Sequence, residues 1–128
     1  MIEVYHWSVL PHAEESTDVV EAYRDIMFGR TETARSALQA LGRWSLKGLV
    51  LQPVAKVEGD SLDKAWALTN HIDHAWTENV GLQVLGHGRW RSSCVGDVMR
   101  MGTEVYIVTR FGFAHVGAAA SFALVDSQ

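Results

Sequence analysis

The spacing of apolar and polar positions changes period along the chain. From Ile2 to Leu10 the period is that of a strand. Ile2, Val4, His6 and Ser8 share one face, with Glu3, Tyr5, Trp7 and Val9 on the other. Pro11 ends this stretch, because proline has no N–H to give to a ladder. Residues 16–28 follow the helical period. Val19, Val20, Tyr23, Ile26 and Met27 form the apolar stripe, and Glu21, Arg24 and Asp25 face away from it. Ser16 or Thr17 is the expected N-cap and Gly29 the stop. A second helix is predicted from Thr31 to Leu41, carrying Ala34, Ala37, Leu38 and Leu41 on its buried side. Trp44 to Val57 reads as extended chain, in which Gly48 and Pro53 predict a bend or an edge. Gly59-Asp60 forms a turn. Asp60 or Ser61 then caps a third helix over 62–74, with Leu62, Trp66, Thr69, Ile72 and Trp76 along one stripe.

In the last third the period returns to that of strands. Leu82 and Val84 alternate around Gln83, and Val98 to Met101 and Glu104 to Thr109 flank Gly102-Thr103. A Gly-X pair between two strands signals a type II′ hairpin, because glycine takes the φ > 0 position. Phe111-Gly112-Phe113 begins another short strand that ends near Val116. Helices come before a run of strands, which predicts an α+β fold rather than a doubly wound one. The expected architecture is an N-terminal strand and two or three helices packed on a mostly antiparallel sheet that ends in a β-meander. Residues 1–116 are expected to form a single domain, with 117–128 as a tail or short edge element.

Composition narrows the class. The chain has 128 residues, 48% apolar and 20% charged, which suits one globular domain. A single cysteine, Cys94, excludes an internal disulfide framework and a four-cysteine zinc site. The net charge of −4 argues against broad nucleic-acid binding. No apolar run reaches the roughly 20 residues needed to span a bilayer, and the start of the chain lacks a secretory signal pattern. With a lone free thiol, this predicts a reducing cytosol. The charge is uneven: residues 1–32 hold seven acids and two bases, whereas residues 86–115 hold four arginines and two acids.

Catalytic patterns are weak. His71 and His74 stand three apart on the predicted third helix and could share a metal with His87, His6 or His12, but the spacing matches no known zinc motif. They are read as structural. Cys94 with His87 and Asp97 offers the residue types of a thiol triad, without a helix N-terminus or oxyanion loop to activate the thiolate. Gly86-His87-Gly88 does not run from strand to helix as a phosphate loop must. No cofactor, metal or catalytic residue is assigned.

Val95-Gly96-Asp97-Val98 has the make-up of a turn feeding a strand. Gly96 suits a left-handed conformation, and the Asp97 carboxylate suits backbone amides in the turn. Ser92 and Ser93 are placed to satisfy nearby backbone groups. The segment Arg91-Ser92-Ser93-Cys94-Val95-Gly96-Asp97-Val98 stands out together with Ala67-Leu68-Thr69-Asn70, Ala75-Trp76-Thr77-Glu78-Asn79 and the later Gly112-Phe113. Over residues 62–115 the chain resembles small uncharacterised proteins of bacteriophages and mobile elements. These share an Arg-Ser-x-Ser-Val-Gly-Asp-Val segment before a hairpin. Cys94 stands where that pattern has serine, which implies a small packed residue rather than a nucleophile. The resemblance implies a phage or mobile-element origin and a place in the host cytosol, and carries no chemistry.

The leading expectation is therefore an accessory protein that binds a host or phage protein complex, for example as an inhibitor of a host defence complex (anti-CRISPR-like) or of transcription. The expected partner-binding residues are Glu14, Glu21 and Asp25 on the acidic helix, and Arg89, Trp90 and Arg91. The alternative is a single-strand nucleic-acid binder, in which Arg89, Arg91, Arg100 and Arg110 hold phosphates and Trp90 stacks on a base. Trp66 and Trp76 are expected in the core, and Trp7 and Trp90 partly exposed.

Overall fold

A computed structural model describes residues 1–39, 48–71, 74–86 and 90–122. The strands are β1 (Ile2–Val9), β2 (Leu49–Val57), β3 (Leu82–Val84), β4 (Val98–Met101), β5 (Glu104–Thr109) and β6 (Gly112–Ala118). The helices are α1 (Thr17–Met27), α2 (Thr31–Gln39) and α3 (Leu62–Leu68). The strands form one sheet in the order β3-β2-β1-β4-β5-β6, and every pairing is antiparallel. The fold is α+β, with the strand-first, meander-last order that the residue periods predict.

Each face of the sheet has its own core, which follows from the two-residue alternation of β1. Tyr5 and Trp7 point into a cluster with Val19, Ala22 and Ile26 of α1 and Ala34, Ala37 and Leu38 of α2. Ile2 and Val4 point the other way, into a cluster with Ala65 of α3 and Trp76. Trp7, expected to be partly exposed, is 1% exposed because α1 and α2 close over its face.

Pro53 lies inside β2 and explains its irregular pairing. Val4 opposes Ala55 while Tyr5 opposes Pro53, so Val54 is an extra residue at a bulge. β3 pairs with Ala55 to Val57, so at Pro53 the strand has β1 alone as a neighbouring strand among the described residues. Of the expected bend or edge, the irregularity is present as this bulge, while β2 itself is an inner strand of the sheet.

The third helix is shorter than its stripe predicts. It ends at Leu68, where the Thr69 hydroxyl donates to the Ala65 carbonyl (2.8 Å) and the Asn70 amide donates to that of Trp66. Side chains that bond the last turn's carbonyls compete with helix continuation. Trp76 reaches the same core from a separate 3-10 turn, Trp76–Glu78. Leu41, Trp44, Ile72 and the Gly86-His87-Gly88 turn beyond Gly86 lie outside the described residues. The first two residues of the predicted tail, Gly117 and Ala118, belong to β6, and Ala119 and Phe122 of the 3-10 turn that follows pack on the α1–α2 core.

Candidate functional site

The sheet leaves one of its central strands incomplete. β4 pairs only with Ile2 to Tyr5 of β1, so His6 to Val9 have no strand on that side among the described residues. A bare N–H and C=O at this depth must find other partners. Trp7 finds them in two side chains: its N–H donates to Oδ1 of Asp97 (3.2 Å), and its carbonyl accepts from Nη2 of Arg91 (3.0 Å). Arg91 and Asp97 thus stand in for the missing strand.

The pair is itself a two-pronged bridge. Nη1 of Arg91 meets Oδ2 of Asp97 at 2.6 Å, and Nη2 meets Oδ1 at 2.7 Å. The Cys94 N–H adds a further bond to Oδ2 (2.7 Å). Asp97 is fully buried, and its two oxygens accept four hydrogen bonds. Burial alone would lower the Arg91 pKa, yet its bonds to Asp97 and that carboxylate's charge carry it above the ordinary arginine value. Gly96 makes the turn possible. Its φ is 96°, its carbonyl accepts from the Trp7 indole (2.8 Å), and a Cβ would sit 2.5 Å from the Ile26 carbonyl oxygen. The turn chemistry read from Gly96 and Asp97 is what the structure contains.

His6 lies beside this pair, 97% buried at its side chain, with Nε2 3.8 Å from Oδ2 of Asp97. Its Nε2 is 2.9 Å from Ser93 Oγ, which is 2.7 Å from Thr69 Oγ1. Proton counting fixes the directions. The Thr69 hydroxyl gives its one proton to the Ala65 carbonyl, since a carbonyl has none to give. Ser93 must therefore donate to Thr69, and His6 must donate from Nε2–H to Ser93. Nδ1 is left as a bare acceptor, buried and without a hydrogen-bond partner among the described residues. Burial pushes the His6 pKa down to about 4 against the attraction of Asp97, so the ring is neutral at pH 7.

A cleft of about 390 Å³ opens here, lined by His6, Tyr23, Gln52, Trp90 and Arg91 among others. Ser8 Oγ donates to Oε1 of Gln52 (3.1 Å), which leaves the Gln52 amide nitrogen as a donor. The Trp90 indole donates to the Leu85 carbonyl (2.8 Å), and its ring covers Gly86.

The sequence-predicted residues divide into separate places. Glu14 and Glu21 are exposed on the outer side of α1 and its approach, and Asp25 is half-exposed beside Arg30 (3.5 Å). Trp90 lies in the cleft wall. Arg91, expected on an open surface, has all four Nη hydrogens committed to Asp97, Trp7 and Ser92. Arg89 lies outside the described residues. Of the other arginines, Arg100 donates to the Gly102 carbonyl and Arg110 to that of Phe28. His71 and His74 fall beyond the helix that was to align them. The former accepts from the Trp76 N–H (3.0 Å), and the latter bonds Asn79 (2.8 Å). Among the described residues no three His, Cys, Asp or Glu side chains converge as ligands. Burial raises the Cys94 thiol above its ordinary pKa, the reverse of what a nucleophile needs.

A second feature was not read from the sequence. Phe28, the C-cap of α1, is 69% exposed, and Phe111, in the β5–β6 turn, is 99% exposed. Arg110 joins their segments through a 2.7 Å bond to the Phe28 carbonyl. Beyond the turn a hollow of about 330 Å³ is lined by Asp63, Trp66, Arg110, Phe111 and Phe113. Phe111, which the sequence places in a strand, lies in the two-residue turn between β5 and β6, and Phe28 lies just past the apolar stripe of α1; a large apolar residue in either place is the signal that could have found this patch. No family model, curated protein or solved structure matches the chain.

Proposed function

We propose that this protein acts by binding another protein through the outer face of α1 and the β5–β6 turn. The observation that carries the reading is the pair Phe28 and Phe111, distant in sequence, exposed, and tied together by Arg110. Leaving two such rings in water gives up burial of roughly 25 cal/mol per Å² of apolar surface, a loss that a partner recovers. Phenylalanine and arginine beside a hollow are also the make-up of an interface anchor. The charge around it selects the partner. Glu21, Arg24, Asp25 and Phe28 recur at i, i+3, i+4 and i+7, and so form one outer stripe of α1. Glu14, Glu15 and Asp18 extend its acidic end. The partner is a protein with an apolar hollow rimmed by basic side chains. The resemblance to phage and mobile-element proteins makes a host defence or transcription complex in the bacterial cytosol the preferred version.

Two variants test this. Phe28→Ser with Phe111→Ser removes the anchor and should abolish capture of a discrete, nuclease-resistant partner from host lysate. Glu14→Lys, Glu21→Lys and Asp25→Lys together should slow association and reduce its salt dependence while sparing the dissociation rate. Unchanged capture by the first variant, or capture that nuclease abolishes, contradicts the proposal.

A further inference from the structure

We infer that β6 pairs with β6 of a second copy of this chain, so that two sheets join edge to edge in a two-fold dimer. This dimer is independent of the protein-binding reading. β6 is an edge strand, with β5 as its one neighbouring strand among the described residues. The phase of β5 decides which backbone groups of β6 are open. The Val108 N–H donates to the Asp97 carbonyl (2.9 Å), and the Val108 carbonyl accepts from the Gly96 N–H (2.8 Å). Both groups of Val108 therefore aim away from β6, and Phe113, its cross-strand partner, aims its own N–H and C=O outward. Alternation puts the N–H and C=O of His115, opposite Tyr106, on the same outer side, while Ala114 bonds to Ile107. Two open rungs thus stand two residues apart on the rim of the sheet.

The make-up of the strand selects its occupant. Edge strands ordinarily refuse a second strand by carrying lysine, proline or a charge on the rim, or by being short. β3, the opposite edge, has three residues. β6 has seven, Gly112-Phe113-Ala114-His115-Val116-Gly117-Ala118, with no lysine, proline or acid among them. Its one ionisable side chain, His115, is engaged by Glu104 of the same chain (3.0 Å). An antiparallel copy engages both rungs of both strands in one register. Phe113 then opposes the partner's His115, His115 opposes the partner's Phe113, and Ala114 meets its own copy on the two-fold axis. Each outer pair exchanges both of its N–H···O bonds, and the central pair brings only methyl groups to the axis. On the other face Phe113 comes beside the partner's His115, a ring that in each chain lies 5.2 Å from Tyr106, which makes an aromatic cross-strand cluster. The ladder is short, because the bulge at Val116 breaks the phase beyond His115. A contact of this size falls below that of permanent interfaces, so the dimer is reversible.

Sedimentation equilibrium of the full chain should show monomer passing to dimer between about 10 µM and 1 mM. Amide hydrogen exchange reads the ladder residue by residue. The Phe113 and His115 amides should exchange fast in dilute protein and be slowed about fivefold in concentrated protein, whereas Ala114 is protected in both. Ala114 is half-buried at the rim, where a long side chain can reach water. Ala114→Lys and Ala114→Glu each set like charges against one another across the axis and should be monomeric. Mixed in equal amounts they should dimerise again, which separates repulsion at the axis from misfolding. A parent that stays monomeric to about 1 mM overturns the inference. So does a dimer that persists in Ala114→Lys, a dimer that leaves the Phe113 and His115 amides unprotected, or a mixture of the two folded variants that stays monomeric. Phe28 and the outer face of α1 lie outside the ladder, so none of these outcomes bears on capture of a different protein.

Discussion

Asp97 connects three parts of the chain: the Trp7 backbone of β1, the Arg91 guanidinium and the Cys94 amide. Removing one partner of a buried bridge is far more damaging than its net worth, since the other charge stays desolvated. Asp97→Ala should therefore lower stability by about 3–5 kcal/mol, read as a shift of the denaturant midpoint. Arg91→Lys should recover little, because an ammonium cannot bridge both carboxylate oxygens and the Trp7 carbonyl at once. His6 gives a prediction in pH. Its folded pKa of about 4 lies below the ordinary 6.5, so between those values the unfolded chain binds more protons. Stability should rise with pH across that window and fall as pH drops from 6.5 towards 4, by about 3 kcal/mol in total. Denaturant titrations of the parent and His6→Gln at pH 7 and pH 5 check it. The difference between the two proteins should shrink at the lower pH, and a constant difference contradicts the burial of a neutral ring.

At the scale of elements, legibility tracked how local each cause is. β1, α1 and the β4–β5 hairpin follow from periods of two and 3.6 residues and from glycine turn chemistry, so their bounds were readable. The apolar spacing overstates α3 because Trp76 continues it, although Trp76 reaches the core from its own turn. The turn at Gly96-Asp97 was readable, but its target was not. The Arg91–Asp97 bridge caps β1, which is more than eighty residues away in sequence, and spacing carries no trace of that. The period places His6 on the Ile2 and Val4 face of β1, but it carries no trace of the hydroxyl chain, which comes from α3's end and from the segment before β4. Two glycines separate local from tertiary demands. Gly96 has φ 96° and sits against Ile26, whereas Gly102 has φ 62° and open space around it. Gly96→Ala should cost about 1–3 kcal/mol through overpacking and backbone strain. Gly102→Asn should be nearly neutral, and Gly102→Val should destabilise the hairpin, because only the second is β-branched. Thermal melts of the three variants check that order.

For the whole molecule, two helix layers cover a sheet whose interior is closed on both faces, and none of the described helices is long and apolar enough to cross a membrane. Two open features among the described residues bear on function. One is the outer edge of β6, and the other is the corner where the end of α1 meets the β5–β6 turn. The proposed activity rests on the second. A photoreactive phenylalanine analogue placed at position 28 or 111, with Gln83 on β3 as an exposed control, tests it by crosslinking in cell lysate. A discrete protein adduct is expected from both positions and none from the control, with less of it, at a slower rate, when Glu14, Glu21 and Asp25 are reversed to lysine. Absence of an adduct at both phenylalanine positions, or the same adducts from position 83, would contradict it.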